Sequence, residues 1–284
     1  MYPTSFAYRR ASSVAEAVEL LGANPDAKIL AGGYSLIPAM KLRLASPEML
    51  VDLGKINELK QIAVDADGAH IGAMATYDDI RDNAEIASLF PAIPEAIEYI
   101  GDQQVRAHGT LAGSLAHADP AADLTAVFLS LNGQVKVTGP QGERTIAADD
   151  LFVDLWTTSL EPDEIITEVF LPAPQAGTIM AYKKYGHPAS GYALAGVAVV
   201  AVVNDGVCAE ARISVTGSTS KATRAAAAEE AVAGEALTDE TIAAVASRAP
   251  EGLEINGDTY ASEEYRAHLV SVLTKTVFQT ALGR

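Results

Sequence analysis

The chain has 284 residues and a formal net charge of −17, with 20 lysines and arginines against 37 aspartates and glutamates. A surface this acidic repels phosphate backbones, which argues against a nucleic-acid-binding protein. Because Cys208 is the single cysteine, the chain cannot form an internal disulfide or hold an iron–sulfur cluster of its own. The longest apolar run, residues 192–203, is too short to cross a bilayer, and the N-terminus lacks a signal-peptide pattern. We therefore expect a cytoplasmic protein without a transmembrane segment.

The first part of the chain, predicted as a subdomain over residues 1–54, alternates helix and strand signals. Ser13 and Glu16 have the spacing of a capping box, which predicts that a helix starts here. The other elements predicted in this part are a strand at 28–31 that ends in a glycine pair, a helix at 36–44 and a strand at 49–53.

The second part is predicted as a subdomain over residues 55–175. Its predicted elements are a strand at 70–74, a helix opened by a capping box at 76–79, a helix at 94–100, a glycine-punctuated loop at 109–113 and a hairpin turn at Asn132-Gly133. Pro172 and Pro174 interrupt the pattern and predict a boundary with the third part.

The third part, predicted as a domain over residues 176–284, begins with strands and ends with helices. The predicted elements are strands at 191–203 and 208–216 joined by a turn at 204–206, helices around 221–234 and 239–248, and a closing helix at 262–282. The whole chain is therefore predicted to be an α+β protein built from three compact parts.

Two glycine-containing loops could carry chemistry. In the first, Gly32 and Gly33 let the backbone approach a ligand, and the N–H groups of residues 34–36 would point at an anion. The spacing is that of neither a Walker loop nor a Rossmann fingerprint, so a plain turn is the alternative. In the second, residues 109–123, the hydroxyls of Thr110 and Ser114 could donate to phosphate, and Asp123 could accept from sugar hydroxyls. A glycine-rich turn followed by a helix cap is the alternative there.

A third motif, residues 182–185 with Tyr192 further on, places lysines beside tyrosines. Such side chains can bind the polar groups of a flavin and cover its ring, although ordinary strand residues with solvated lysines give the same pattern. The five histidines show no metal-binding spacing, so no metal site is predicted.

The motifs resemble a known family. Residues 31–41 resemble the first FAD loop of the medium subunits of the carbon-monoxide dehydrogenase and xanthine dehydrogenase family, and residues 104–123 resemble the second. Tyr182-x-Lys184 with residues 192–194 is similar to a third block, and residues 261–269 to the C-terminal helix. The resemblance spans nearly the whole chain in the same order.

This resemblance implies a two-part FAD-binding fold like that of vanillyl-alcohol oxidase, with a C-terminal α+β domain like those of carbon-monoxide dehydrogenase flavoproteins. It also implies partners: a small subunit with two 2Fe–2S clusters and a large molybdopterin subunit, assembled as a dimer of heterotrimers. Electrons would pass from the clusters through FAD to an external acceptor, so no catalytic residue is assigned to this chain.

By the same resemblance, the first loop and residues 110–114 hold the pyrophosphate, Asp123 the ribityl or ribose side, and Lys184 and Tyr192 the ring region. The residues predicted to bind FAD are Ala31, Gly32, Gly33, Tyr34, Ser35, Leu36, Thr110, Gly113, Ser114, Ala118, Asp123, Lys184 and Tyr192.

The chain departs from the family pattern at three places. Tyr34 stands where histidine or glutamine is more usual, and residues 112–114 read Ala-Gly-Ser instead of Gly-Gly-Asn. Residues 187–190 stand where relatives of the carbon-monoxide enzyme carry basic side chains, which argues against carbon monoxide as the substrate of the assembly. Two other hypotheses remain: a stand-alone FAD oxidoreductase of the vanillyl-alcohol oxidase type, and a scaffold protein without a cofactor.

Overall fold

The computed structural model describes residues 1–284. The first part contains β1 (Ala7–Arg10), α1 (Val14–Ala23), β2 (Ala27–Leu30), α2 (Leu36–Lys41) and β3 (Met49–Asp52). After a short 3-10 helix, the second part contains β4 (Ile62–Val64), β5 (Gly68–Gly72), α3 (Tyr77–Arg81), α4 (Ala84–Leu89), α5 (Ala92–Glu98), α6 (Gln103–Arg106), α7 (Leu111–His117), α8 (Asp123–Ser130), β6 (Gln134–Gly139), β7 (Gly142–Ala147), α9 (Ala148–Leu151), β8 (Phe152–Asp154), β9 (Thr157–Thr158) and β10 (Ile165–Pro172). The third part contains β11 (Thr178–Gly186), β12 (Ala193–Asn204), β13 (Val207–Thr216), β14 (Thr223–Arg224), α10 (Ala226–Val232), α11 (Asp239–Arg248) and α12 (Glu263–Ala281).

Each part is built on its own sheet. The first sheet is parallel with β3 in the centre, in the order β1-β3-β2, and α1 and α2 provide the crossovers that parallel strands need. The second sheet has five antiparallel strands in the order β4-β5-β10-β6-β7, and the third has four in the order β11-β12-β13-β14. Strands β8 and β9 form a separate small ribbon. The α+β fold class is thus confirmed.

Helix α8 joins the second and third parts. All of its residues are buried, and the same apolar cluster contains Phe128 of α8, Leu171 of β10, and Met180 and Ala198 of the third sheet. The hydroxyl of Ser130 donates to the Ala198 carbonyl at 3.2 Å. A helix enclosed on every side is mostly apolar because no face meets water, and the polar side chains of α8 accordingly have partners inside the protein. The two larger parts therefore share the apolar cluster around α8, and the third part has a second cluster of its own.

Local signals predicted some features correctly. Thr76 and Asp79 form the expected reciprocal capping box at α3. Asp205 and Gly206 both have positive φ, 51° and 81°, and close the tight turn between β12 and β13.

Only one of the two hydrogen bonds of the capping box predicted at Ser13 is present. The Ser13 hydroxyl does accept from the Glu16 N–H, but the Glu16 carboxylate accepts from the N–H and hydroxyl of Ser12 instead of the Ser13 N–H. The carboxylate thus reaches one residue further back than the sequence pattern implies.

The hairpin predicted at Asn132-Gly133 is wrong. The apolar run before it is helix α8, so these residues connect a helix to strand β6. Asn132 adopts a left-handed φ of 54°, and Gly133 lies so close to the Phe128 ring that a Cβ atom would be 2.4 Å from it. The apolar run before Asn132, which the predicted hairpin treats as a strand, is a helix buried on all sides. Hydrophobic periodicity alone cannot distinguish a fully buried strand from a fully buried helix.

Several predicted bounds shift. The loop predicted at 109–113 already contains the start of α7, and Pro172 still belongs to β10, so the pattern breaks slightly later than expected. The predicted helices at 36–44, 94–100 and 221–234 are observed at Leu36–Lys41, Ala92–Glu98 and Ala226–Val232. Strands β1, β4, β7, β8, β9, β10 and β14 were not predicted. No helix is long and apolar enough to cross a membrane.

A matched pair of leucines tests the shared core. Leu171 lies in the central strand β10 and is 1% exposed, whereas Leu44 is 80% exposed. Leu171→Ala should lower the free energy of unfolding by about 2–5 kcal/mol because it leaves a cavity. Leu44→Ala should change it by less than about 0.5 kcal/mol. Chemical denaturation followed by far-UV circular dichroism measures both; equal losses in the two variants would contradict this description of the core.

Candidate functional site

The first glycine loop leaves its backbone N–H groups free. It follows β2 at the carboxyl edge of the parallel sheet, and the N–H groups of residues 31–35 donate to no acceptor in the chain. Gly33 has a φ of 78°, which turns the chain sharply before α2 begins at Leu36. Five consecutive unpaired N–H groups give this turn a locally positive backbone surface, which suits an anion such as a pyrophosphate. The sequence predicted N–H groups directed at an anion for residues 34–36, and the unpaired groups observed here begin earlier, at Ala31; binding of FAD by Ala31, Gly32, Gly33, Tyr34, Ser35 and Leu36 stays a prediction.

The two glycine loops touch each other at Gly32. A Cβ atom at this position would lie 2.0 Å from the His108 carbonyl oxygen and 2.9 Å from Gly109 Cα, so only glycine fits. The Tyr34 ring stacks on the His108 ring, with centroids 5.6 Å apart and an angle of 16° between the planes. Loops that are some 75 residues apart in the chain thus form one continuous surface.

In the second loop, Thr110 caps helix α7. Its hydroxyl oxygen accepts from the Gly113 N–H at 3.0 Å, and a side chain at Gly113 would collide with this hydroxyl. The hydroxyl proton of Thr110 remains available to an outside acceptor. Ser114 lies beside the phenol of Tyr77, and burial raises the pKa of that phenol to about 12, with Ser114 opposing the rise. Ala118 ends the helix in a left-handed conformation with φ 50°.

Asp123 and Lys184 form a buried ion pair. Their side chains are 8% and 4% exposed, and Lys184 Nζ lies 2.9 Å from Asp123 Oδ1. The Tyr182 hydroxyl donates to the same carboxylate at 2.6 Å, and Lys184 also donates to the Tyr99 carbonyl at 2.9 Å. Burial raises the pKa of the Asp123 carboxyl, and the Lys184 ammonium opposes that rise. The sequence predicted the two side chains as separate ligands; the structure brings them together.

Residues that the sequence did not single out hold this pair in place. Glu95 of α5 accepts from the Tyr182 N–H at 2.8 Å and from Lys183 Nζ at 2.5 Å. A Cβ atom at Gly196 would lie 2.3 Å from the Tyr182 hydroxyl, so glycine leaves the room that this hydroxyl needs. No sequence signal pointed to Glu95, because its partners are 87 and 88 residues away in the chain.

Tyr192 is exposed at the rim of the same region. It immediately precedes β12, and its carbonyl accepts from the His187 N–H at 2.7 Å. The residue is 52% exposed, so it is only partly removed from water; this partial burial raises the pKa of Tyr192, and the carboxylates of Asp119 and Asp123 raise it further. The phenol therefore faces the acidic end of the second loop.

These features fit a bound flavin dinucleotide. The free N–H groups suit a pyrophosphate, the Thr110 and Ser114 hydroxyls lie in the adjoining loop, and Asp123 still has a lone-pair position for one more donor. The exposed ring of Tyr192 can cover a planar group. The fold and the site together are those of a dinucleotide-binding protein, and the tyrosine beside the site suits a flavoprotein.

Comparisons with known proteins give the family. Residues 4–174 match the family described as the FAD binding domain in molybdopterin dehydrogenase, and residues 180–281 match the CO dehydrogenase flavoprotein C-terminal domain. The nicotine 6-hydroxylase medium subunit of Paenarthrobacter nicotinovorans is 38% identical over 98% of this chain and 97% of its own length. The glyceraldehyde dehydrogenase medium chain of Sulfolobus acidocaldarius is 35% identical over 98% of this chain and 99% of its own length.

Solved structures agree. Carbon monoxide dehydrogenase from Hydrogenophaga pseudoflava contains a chain with a TM-score of 0.96 and 38% identity, over 100% of this chain and 99% of that one. The chain belongs to the family of FAD-binding medium subunits of the molybdenum hydroxylases, and FAD is its cofactor. It is an oxidoreductase subunit of the carbon-monoxide and xanthine dehydrogenase type.

Two glycines provide a test of the loop contact. Gly32→Ala places a methyl group against the His108 carbonyl, so the loops must separate and the FAD-to-protein ratio should fall to less than about half. Gly22→Ala is the matched control, because nothing lies within 4 Å of its Cβ position in α1 and alanine favours a helix. Absorbance of the purified proteins measures the ratio; full FAD content in Gly32→Ala would contradict the proposed loop contact.

The buried ion pair makes a prediction about stability and pH. Lys184→Met leaves Asp123 buried without its cation and should lower the free energy of unfolding by about 3–5 kcal/mol at neutral pH. Asp123→Asn in the same chain should recover part of this loss, because no buried charge remains.

The loss should shrink in acid. Without Lys184 the pKa of Asp123 rises further above its unfolded value, since the ammonium opposes the rise caused by burial. A carboxyl whose folded pKa is raised favours folding below the unfolded pKa of about 3.9 and loses that contribution as the pH rises through the folded pKa. Chemical denaturation of wild type and Lys184→Met at several pH values measures the difference in their free energies of unfolding. A difference that grows toward low pH would contradict this prediction.

Proposed function

We propose that this chain carries electrons from the 2Fe–2S clusters of a small subunit through FAD to an external acceptor, while a molybdopterin subunit oxidises the substrate. The observation that carries the proposal is the match along almost the whole chain to proteins that are named medium subunits or medium chains. Cys208 is the single cysteine and is buried, so clusters that deliver electrons must belong to another chain.

We assign the FAD contacts to the converging loops. Residues 31–36 offer free N–H groups to the pyrophosphate, with Thr110, Gly113 and Ser114 on the opposite side. Ala118 and Asp123 lie toward the ribityl chain, and Lys184 and Tyr192 toward the ring. FAD supplies the chemistry of the electron carrier, and the protein binds it, orients it and limits its access to water.

The proposed partners are the small 2Fe–2S subunit and the large molybdopterin subunit, in a dimer of heterotrimers. The word medium in the names of the relatives fits a chain that works beside a smaller and a larger one. The division into parts at residues 54 and 175 is supported by the three separate sheets. We also propose that the chain works in the cytoplasm.

A stand-alone oxidoreductase of the vanillyl-alcohol oxidase type is less well supported. Relatives of nearly the same length are named as subunits or medium chains. The third part consists of one four-stranded sheet and three helices, and its core is filled by apolar side chains that leave little space for a substrate.

Co-purification tests the proposal. The chain carries an affinity tag and is expressed with the genes that neighbour its own, and the absorbance of the purified material is recorded. We expect flavin bands at about 370 and 450 nm together with a smaller and a larger partner chain. A colourless chain that purifies alone and takes up no added FAD would overturn the proposal. Substrate turnover by the isolated chain would favour the stand-alone enzyme instead.

A further inference from the structure

The C-terminal motif at 261–266 contains a buried arginine that the proposed FAD contacts do not explain. Arg266 lies in the first two turns of α12 and is 7% exposed. Its Nη1 group donates to the Leu194 carbonyl at 2.9 Å and also to the Gly217 carbonyl, and Nη2 donates to the Asp258 carboxylate at 2.5 Å. One planar guanidinium therefore joins three separate segments of the third part.

The segment that contains Gly217 reaches the second flavin loop. The Gly217 N–H donates to the Pro120 carbonyl at 2.7 Å. The Thr216 hydroxyl lies 2.6 Å from the Pro120 carbonyl and 2.8 Å from the Ala122 carbonyl, so its single proton is shared between the two. These contacts hold the turn that leads directly into Asp123 at the start of α8.

The contact of Arg266 with the Leu194 carbonyl connects it to the strand that follows Tyr192. Leu194 is two residues after Tyr192, at the start of β12, and its carbonyl also accepts from Ser218 at 3.0 Å. Asp258 anchors the far end of the guanidinium. The N–H groups of Ala261 and Tyr260 lower the pKa of Asp258, and Arg266 lowers it further, so this anchor stays charged at neutral pH.

We propose that Arg266 is a positioning residue of the flavin site. Through Gly217 and Thr216 it places the turn before Asp123, and through Leu194 it places Tyr192, although it lies in the C-terminal helix. The inference rests on the proposed placement of FAD beside Asp123 and Tyr192. A lysine keeps the charge but lacks the planar fork that serves two carbonyls and a carboxylate together.

The test uses the assembled complex with two variants that weaken this connection at different points. Arg266→Lys removes the fork, and Thr216→Val removes the hydroxyl while keeping the shape of the side chain. Thr219→Val is the matched control, because Thr219 is a buried threonine of the same turn whose hydroxyl donates to the Lys221 carbonyl, away from the second loop. The readouts are the FAD dissociation constant, the visible circular dichroism of the flavin and the melting temperature.

We expect Arg266→Lys and Thr216→Val each to weaken FAD binding by about tenfold, as the loss of one or two hydrogen bonds implies. Both variants should also change the flavin circular dichroism. In the double variant, the loss of FAD affinity should be smaller than the product of the two single losses, because both substitutions break the same connection. Thr219→Val should keep wild-type FAD affinity.

Unchanged FAD affinity and an unchanged flavin spectrum in Thr216→Val would overturn the inference, whatever its melting temperature. This result can be obtained even if Arg266→Lys fails to fold. Independent, multiplicative effects of the two variants would overturn it as well. A wild-type complex that binds no FAD would overturn the proposed function itself, which is a different outcome from a normal wild type with unaffected variants.

Discussion

A carboxylate and an ammonium group buried at one junction constrain the rest of this structure. Asp123 begins the helix that lies between the second and third sheets, and Lys184 lies on the first strand of the third sheet. Neither charge is tolerable there without the other, because removal from water costs several kcal/mol unless a partner lies close. The two larger parts must therefore dock in the register that brings Lys184 to Asp123, and that docking places the end of the second loop, which leads into Asp123, beside the third sheet.

The sequence predicted the features that depend on neighbouring residues. The free N–H groups after β2 follow from a glycine pair between a strand and a helix, and the turn at Asp205-Gly206 follows from its own φ preferences. Features that depend on distant partners were missed. Glu95 carries no local signal, and the apolar run before Asn132 is a helix whose whole surface is covered by strands of the third sheet and by neighbouring helices. Hydrophobic periodicity arises when an element has one buried and one exposed face. It therefore gives no signal for the type of an element that is buried on every face.

The departure of Tyr34 from the usual family residue has a structural partner in this chain. Its ring stacks on His108 of the second loop at the point where Gly32 already brings the two backbones together. An aromatic pair adds an attraction of about 0.5–1.5 kcal/mol beyond the area it buries. In this structure Tyr34 therefore reinforces the contact between the two glycine loops.

This chain binds an anionic dinucleotide although its own net charge is −17. The two facts are compatible because the backbone N–H groups at the site and the charges on the rest of the surface act over different distances. Interactions among exposed charges are screened beyond about 8–10 Å in physiological salt. Unpaired backbone N–H groups act on a phosphate oxygen in direct contact, where screening by salt is weak. The acidic surface disfavours long phosphate polymers, which must lie across many carboxylates at once, but it does not oppose one pyrophosphate at the unpaired N–H groups of residues 31–35, where we propose that FAD binds. For the same reason, Ala112 and Ser114 in place of glycine and asparagine leave the main attraction intact, because that attraction comes from the backbone.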